Sequence, residues 1–193
     1  MQYCIVDTDT GGLDPSVYSL LGISLIKVSP KFEKFKSLHL NLLSDPMVIS
    51  PGAICANHFS FDTATIDYDT ALLKITEFLG EHRYIPVGIN LGNIDVPFLH
   101  KYLGINNYNK FFSSNFIDIT YNYELLQSLG VIKCNSSSIA SMCNTLGIEY
   151  DEYRIHESSY SSEIIRQLAR ALDKIITEVK SYLQKANWNS NVL

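Results

Sequence analysis

Two carboxylates lie two residues apart at the end of the first apolar segment of the chain. Asp7 and Asp9 follow Tyr3-Cys-Ile-Val6, and a glycine-containing turn begins directly after them. Residues i and i+2 of a strand point to the same side, so we expect the two carboxylates to lie side by side. Without a counter-charge they would repel, and one would hold a proton. A divalent cation removes that conflict, and oxygen ligands suit Mg²⁺ or Mn²⁺. A polar strand end with a capping aspartate is the alternative.

Two further segments carry polar residues at expected junctions between elements. Asn90 ends a buried apolar stretch, and Asp95 falls in the first turn of the helix expected after it. Stabilisation by the helix dipole alone explains an acidic residue there, and Asn90 is also a common turn residue. His156 falls in a loop ahead of the last helix, where a lone histidine is usually a surface residue. Taken singly, each feature has a structural explanation.

The pattern of apolar residues predicts one α/β domain over residues 1–193, with three strands first and helix-linked strands after them. Residues 44–67 are predicted to form a long irregular connection, a kind of segment that often carries function. The predicted strands are 2–8, 17–28, 34–43, 84–90 and 116–120, and the predicted helices are 69–79, 94–103, 123–129, 138–146 and 159–183.

Composition limits the classes of function. With 193 residues, 46% of them hydrophobic, the chain is long enough for a well-buried core. A net charge of −5 argues against coating nucleic acid through a broad basic face. It is compatible with an enzyme that holds one strand end and offsets the phosphate charge with metal. No apolar stretch approaches the ~20 residues of a membrane span, and residues 1–7 lack the pattern of a secretion signal. We therefore expect a cytoplasmic protein without a membrane partner, whose four cysteines are buried free thiols.

Together and in this order, the three polar segments resemble the motifs of the DEDDh family of 3′–5′ exonucleases, the proofreading-subunit type. The family's first motif, Asp-x-Glu-Thr-Thr-Gly-Leu, is similar to residues 7–13, and its second, Asn-x-x-Phe-Asp-x-x-Phe-Leu, is similar to residues 90–99. His156 matches the histidine of the third motif. The resemblance spans residues 2 to 172. It implies a ribonuclease-H-like fold with a mixed five-stranded sheet, three antiparallel strands and then parallel strands, flanked by helices.

The resemblance implies a site with two Mg²⁺ or Mn²⁺ ions that hydrolyses phosphodiester bonds. Asp7 would contact both ions, Asp9 would help hold the ion that carries the attacking water, and Asp95 would orient its hydration shell. His156 would act as general base. The residues implied to receive the 3′ end of a single-stranded DNA or RNA are Thr10, Gly11, Gly12, Leu13 and Asn90. Phe59 and Phe61 either line the strand path or pack in the core.

The sequence departs from the family's motifs at three positions. Asp9 replaces a glutamate, Ile94 replaces a phenylalanine, and Ser161 stands where the fourth metal-binding aspartate is expected. The serine hydroxyl contributes no negative charge at pH 7. Glu157 in the preceding loop is a better replacement for that carboxylate than Glu163, which lies roughly 200° around the helix from Ser161.

Three functions remain open from the sequence. The retained Asp7, Asp9, Asp95 and His156 favour a working but metal-hungry exonuclease that releases nucleoside monophosphates. The serine favours a degenerate module, weakly active or inactive, that binds nucleic acid or a partner protein. The third is an unrelated α/β interaction domain in which the motif matches are coincidental. The family resemblance also implies a polymerase or other replication partner and a homodimer as possible assemblies.

Overall fold

A five-stranded mixed sheet with helices on both faces forms the framework. The computed structural model describes residues 2–43, 46–57, 65–134 and 136–185. The strands are β1 (Tyr3–Thr10), β2 (Leu20–Val28), β3 (Lys34–Asn41), β4 (Ile85–Gly88) and β5 (Ile117–Asp118). The helices are α1 (Pro51–Asn57), α2 (Tyr68–Leu79), α3 (Asp95–Leu103), α4 (Ile105–Phe111), α5 (Ile119–Ser128), α6 (Ile139–Leu146) and α7 (Ser158–Lys185).

The strand order is β3-β2-β1-β4-β5, which places β1 in the middle of the sheet. Strand β2 runs antiparallel to both β1 and β3, whereas β1, β4 and β5 are parallel to one another. The predicted fold class is therefore confirmed. The carboxyl ends of parallel strands meet at one edge of a sheet, which is where α/β proteins commonly bind ligands.

The alternation of side chains along β1 divides the apolar residues between two cores. Cys4 and Val6 point into the core beneath α2, α3 and α4, and Ile5 points into the core beneath α5, α6 and α7. Because the period of a strand is two residues, Asp7 and Asp9 continue the face of Ile5. The first strand therefore presents both carboxylates on the side covered by α7.

Helix α7 is the longest element of the described chain, and its amino-terminal half lies against the sheet. Its buried face includes Ile164, Ile165, Leu168 and Leu172, which repeat at helical spacing. Its first turn, beginning at Ser158, reaches the carboxyl end of β1. Within the part of the chain that the structure describes, no helix is long and apolar enough to cross a membrane.

Two short helices are missing from the sequence-based prediction. Helix α1 lies inside residues 44–67, which were expected to be irregular, and α4 follows α3 after Gly104. The α4 sequence is rich in asparagine, which has a low helix propensity. Its Tyr108 and Phe111 are buried in the core, so tertiary packing stabilises a helix that local propensity does not favour.

The cysteine prediction is correct in part. All four cysteines are free. Cys4 and Cys143 are buried as expected, but Cys55 is exposed and Cys134 is partly exposed, so the prediction of burial was wrong for these two.

Candidate active site

The end of β1 and the start of α3 bring three aspartates together. Asp7 and Asp9 lie on β1, and Asp95 is the first residue of α3. Between the two β1 carboxylates, Thr8 points the other way, and its Oγ1 donates a hydrogen bond to Oδ1 of Asp95 over 2.7 Å. The charges of Asp95 and Asp9 both raise the pKa of Asp7, so the three carboxylates lie within electrostatic range. The structure therefore brings the three aspartates to one end of the sheet, and their sharing of a cation stays a prediction.

The first turn of α7 covers this group with serine donors. The backbone N–H of Ser158 donates to Asp9 Oδ1 over 2.9 Å, and its hydroxyl donates to Asp9 Oδ2 over 2.5 Å. The hydroxyl of Ser161, one helical turn later, donates to Asp7 Oδ2. Ser161 therefore lies beside Asp7, and its correspondence to the family's fourth aspartate stays a prediction. It supplies a proton donor to Asp7 instead of a fourth negative charge.

Burial raises the pKa of all three carboxylates, and repulsion by the other two adds to the shift of Asp7. Burial is the largest cause of the raised pKa of Asp7, followed by the charge of Asp95. Burial also raises the pKa of Asp95 to about 7, despite the opposing hydrogen bond from Thr8. The pKa of Asp9 is raised by burial, which the two bonds from Ser158 partly offset. The group therefore carries negative charge that burial disfavours, and a bound cation would relieve it.

The donor set fits one divalent cation better than two. Asp7 and Asp95 offer the carboxylate oxygens that Mg²⁺ and Mn²⁺ prefer. Both oxygens of Asp9 accept hydrogen bonds from Ser158, and Ser161 is neutral. Among the described residues, no group of three or more His, Cys, Asp or Glu side chains is arranged to hold a metal ion. The two-ion site thus remains a prediction.

Neither nearby glutamate restores the missing charge directly. Glu163 forms ion pairs with Lys34, at 3.7 Å, and with Arg166, at 2.5 Å. Glu157 pairs with Arg154 at 3.2 Å, but its charge still raises the pKa of Asp9. Glu157 is therefore the carboxylate nearer the site, in agreement with the expectation from the sequence.

His156 lies in the turn directly before α7 and is exposed. Two residues later, Ser158 contacts Asp9, so the histidine is close to the site along the chain. In the described ranges its side chain makes no hydrogen bond or ion pair. Its role as general base remains a prediction.

The residues expected to receive a strand end differ in availability. The Gly11 N–H donates to the Ser19 carbonyl over 2.7 Å, so this amide is engaged within the fold, and contact of Gly11 with a strand end stays a prediction. Thr10 Oγ1 donates to the Gly12 carbonyl over 2.8 Å. Leu13 is 78% exposed, which leaves its side chain accessible to a ligand.

Asn90 is a turn residue in the structure. It has a φ of 51°, and its N–H donates to Oδ1 of Asp118 over 3.2 Å. Its carbonyl accepts from the N–H groups of Asn93 and Ile94, which closes the turn before α3. These contacts give it a structural role, and substrate binding by Asn90 stays a prediction. Phe59 and Phe61 lie outside the described residues.

Sequence reasoning missed three residues that shape the acidic group, Thr8, Gly22 and Ser158. Gly22 pairs with Asp9 across the strands, and a Cβ at Gly22 would lie 2.5 Å from Asp9 Oδ2. The lack of a side chain at Gly22 therefore leaves space for the Asp9 carboxylate. A glycine inside a branched apolar strand is a signal of such close approach. Thr8 offers no comparable signal.

Comparison with known proteins gives structural but not sequence matches. No family model matches the chain, and no curated protein matches it significantly. Many solved structures do match, and structures of exonuclease I are among them, some in complex with an oligonucleotide. This chain therefore shares the fold of the matched part of exonuclease I.

Three of these structures illustrate the extent of the likeness. Exonuclease I of E. coli in complex with a dA16 oligonucleotide has a TM-score of 0.78 at 14% identity, over 95% of this chain and 43% of that one. Its zinc-ion-bound form with single-stranded DNA gives 0.77 at 13% identity, with the same coverage. Exonuclease I of Methylocaldum szegediense matches with a TM-score of 0.75 at 14% identity, over 90% of this chain and 40% of that one. This chain therefore spans less than half of each matched chain, and identity this low establishes the fold alone.

Proposed function

We propose that this chain is a metal-dependent 3′–5′ exonuclease that releases nucleoside monophosphates from the 3′ ends of single-stranded nucleic acid. The observation that carries the proposal is the meeting of Asp7, Asp9 and Asp95 at the carboxyl end of β1. The oligonucleotide complexes among the structural matches support a single strand as the ligand. A cytoplasmic location, a replication partner and a homodimer stay predictions.

Asp7 and Asp95 would hold the cation, Mg²⁺ or Mn²⁺. When bound, the ion supplies an acidified water and offsets the charge of the phosphate. Ser161 fixes the rotamer of Asp7 through its hydrogen bond, and Ser158 fixes that of Asp9. His156 would accept the proton of the attacking water at a ring nitrogen. The exposed Leu13 would stack against the terminal base.

A degenerate binding module is the second candidate, and the serine contacts favour it. Three hydroxyls, those of Thr8, Ser158 and Ser161, donate to the three carboxylates. Each bond partly satisfies a negative group that metal would otherwise satisfy. In this alternative the acidic group and its surroundings bind a strand end but hydrolyse it slowly or not at all.

Release of mononucleotides from 5′-labelled DNA and RNA single strands, with Mg²⁺ and with Mn²⁺, tests the proposal. We expect release by the wild-type protein, loss in Asp7→Ala, and no change in Asp69→Ala, which removes an exposed carboxylate from α2. Strand binding without release under either metal would favour the module. If the protein binds neither metal nor strand, the interaction domain is the remaining explanation.

Replacing Ser161 by aspartate should raise turnover, because the new carboxylate lies beside Asp7 and adds a ligand for the cation. Glu163→Gln serves as control, because it changes a charge on the same helix that is engaged with Arg166. Apparent metal affinity, measured from the Mn²⁺ dependence of the rate, should increase in Ser161→Asp only. No gain in either quantity would contradict the assignment of Ser161 to the ligand position.

A further inference from the structure

A polar pair on strand β3 extends the acidic site beyond the motifs. His39 and Asn41 lie near the end of β3, with His39 Nε2 at 3.0 Å from Asn41 Oδ1. Strand β3 is the edge of the sheet. The alternating Leu38 and Leu40 face the core beneath α2 and α3, so His39 and Asn41 face the side of α7 and of the carboxylates.

The strand register connects this pair to the acidic group. One row across the sheet runs from Asp7 through Ser24 to His39, and the next runs from Asp9 through Gly22 to Asn41. Adjacent strands are about 4.8 Å apart, so the pair is about 10 Å from the carboxylates across the sheet.

In the row that contains Asp9 and Asn41, the residue between them is Gly22, which has no side chain. The Asp9 carboxylate lies over Gly22, where a Cβ would meet its Oδ2 at 2.5 Å. No side chain therefore separates Asp9 from Asn41 along this row. The charge of His39 lowers the pKa of Asp9, which places the ring within electrostatic range of that carboxylate. The acidic group and the His39–Asn41 pair therefore lie on the same face of the sheet, next to each other.

The donor chemistry of the pair suits an anion. If Asn41 Oδ1 accepts from the His39 Nε2–H, the amide Nδ2 is left as the outward donor, and protonation of His39 adds a second N–H, at Nδ1, together with a positive charge. A nucleic-acid strand that approaches three aspartates is repelled by them, so donors at the rim are needed to hold its backbone. The exposed His39 lies at that rim.

We propose that His39 and Asn41 bind a backbone phosphate of the single strand, on the 5′ side of the end held at Asp7 and Asp95. This inference rests on the proposed function, since it requires a strand at the acidic group. It adds a phosphate contact on β3 that lies outside the three acidic motifs. A purely structural pair on an exposed edge strand would leave strand affinity unchanged when it is removed.

Fluorescence anisotropy of a 5′-labelled oligonucleotide in EDTA tests the pair without hydrolysis. We expect His39→Ala and Asn41→Ala each to weaken binding about fivefold to tenfold, as for the loss of one hydrogen bond of ordinary net strength. The slope of log affinity against log salt should fall by ~0.7 in His39→Ala, the value for one charged phosphate contact to a single strand, and should stay unchanged in Asn41→Ala, which removes no charge. His82→Ala, which removes an exposed histidine ahead of β4, is the matched control and should change neither quantity.

A strand with one neutral methylphosphonate linkage identifies the phosphate. At one position near the 3′ end, this linkage should weaken binding to the wild-type protein fivefold to tenfold. It should weaken binding to His39→Ala by a smaller factor, because only Asn41 still contacts that phosphate there. Equal affinity and salt slope in wild type and His39→Ala would overturn the inference while the exonuclease proposal stands. Methylphosphonate effects of equal size in the two proteins at every position would also overturn it. If the wild-type protein binds no strand, the proposed function fails and the inference fails with it.

Discussion

Raising the pH should destabilise the folded protein when divalent cations are absent, because buried carboxyl groups must then lose their protons. Burial raises the pKa of Asp95 from 3.8 to about 7, and burial together with the charge of Asp95 raises that of Asp7. A carboxyl group that binds its proton more tightly in the folded state stabilises the fold at low pH. That contribution is lost as the pH rises from the unfolded pKa through the folded pKa.

The size of the effect follows from the displacement of the Asp95 pKa. A change from 3.8 to about 7 corresponds to about 4 kcal/mol between the fully protonated and fully ionised extremes. Most of this contribution to the free energy of unfolding is lost below pH 6, and roughly 1 kcal/mol of it is lost between pH 6 and pH 8. Asp7 adds to the loss in the same direction.

Urea unfolding in EDTA at several pH values from 6 to 8 measures this loss. The variant Asp95→Asn keeps an oxygen that can accept from Thr8 but has no proton to lose, so its free energy of unfolding should depend less on pH. Adding Mn²⁺ at pH 8 should stabilise the wild-type protein more than the variant. Equal pH dependence in the two proteins would refute the reasoning.

Two further predictions concern residues around and beyond the site. Gly22→Ala should cost about 1–3 kcal/mol of unfolding free energy, because its Cβ would lie 2.5 Å from Asp9 Oδ2. Gly52→Ala, with open space around its Cβ, should be neutral or slightly stabilising, and a similar cost at both positions would contradict the steric argument. Hydrogen bonds lower the pKa of the Cys134 thiol to about 6, and the bond with Ser141 has the largest effect. Iodoacetamide at pH 7 should therefore modify Cys134 faster than the exposed Cys55, as measured by peptide mass spectrometry, and Ser141→Ala should slow the reaction. Faster modification of Cys55 would contradict this.

The parts of the site that depend on local sequence were predictable. The placement of Asp7 and Asp9 on one face follows from the two-residue period of a strand, and Asp95 follows from a strand, a turn and a helix start in sequence. The succession of three strands before the helix-linked strands, and the amphipathic face of α7, likewise follow from apolar periodicity. These features need only neighbours along the chain.

The parts that depend on distant contacts were not predictable. The use of the Gly11 amide by Ser19, and of both Asp9 oxygens by Ser158, requires the position of one element against another. The motif spacing indicated that Ser161 replaces a negatively charged residue. Only the packed structure shows that its hydroxyl donates a hydrogen bond to Asp7. Helix α4 likewise exists because Tyr108 and Phe111 are buried, which its own sequence does not favour.

The most direct test of the central claim is a crystal soaked with Mn²⁺ and a nucleoside monophosphate, with anomalous scattering measured at the manganese edge. We expect an anomalous peak within coordination distance of both Asp7 and Asp95, which disappears in Asp7→Ala. A peak elsewhere, or none at manganese concentrations that support strand cleavage, would contradict the claim that these carboxylates share a cation.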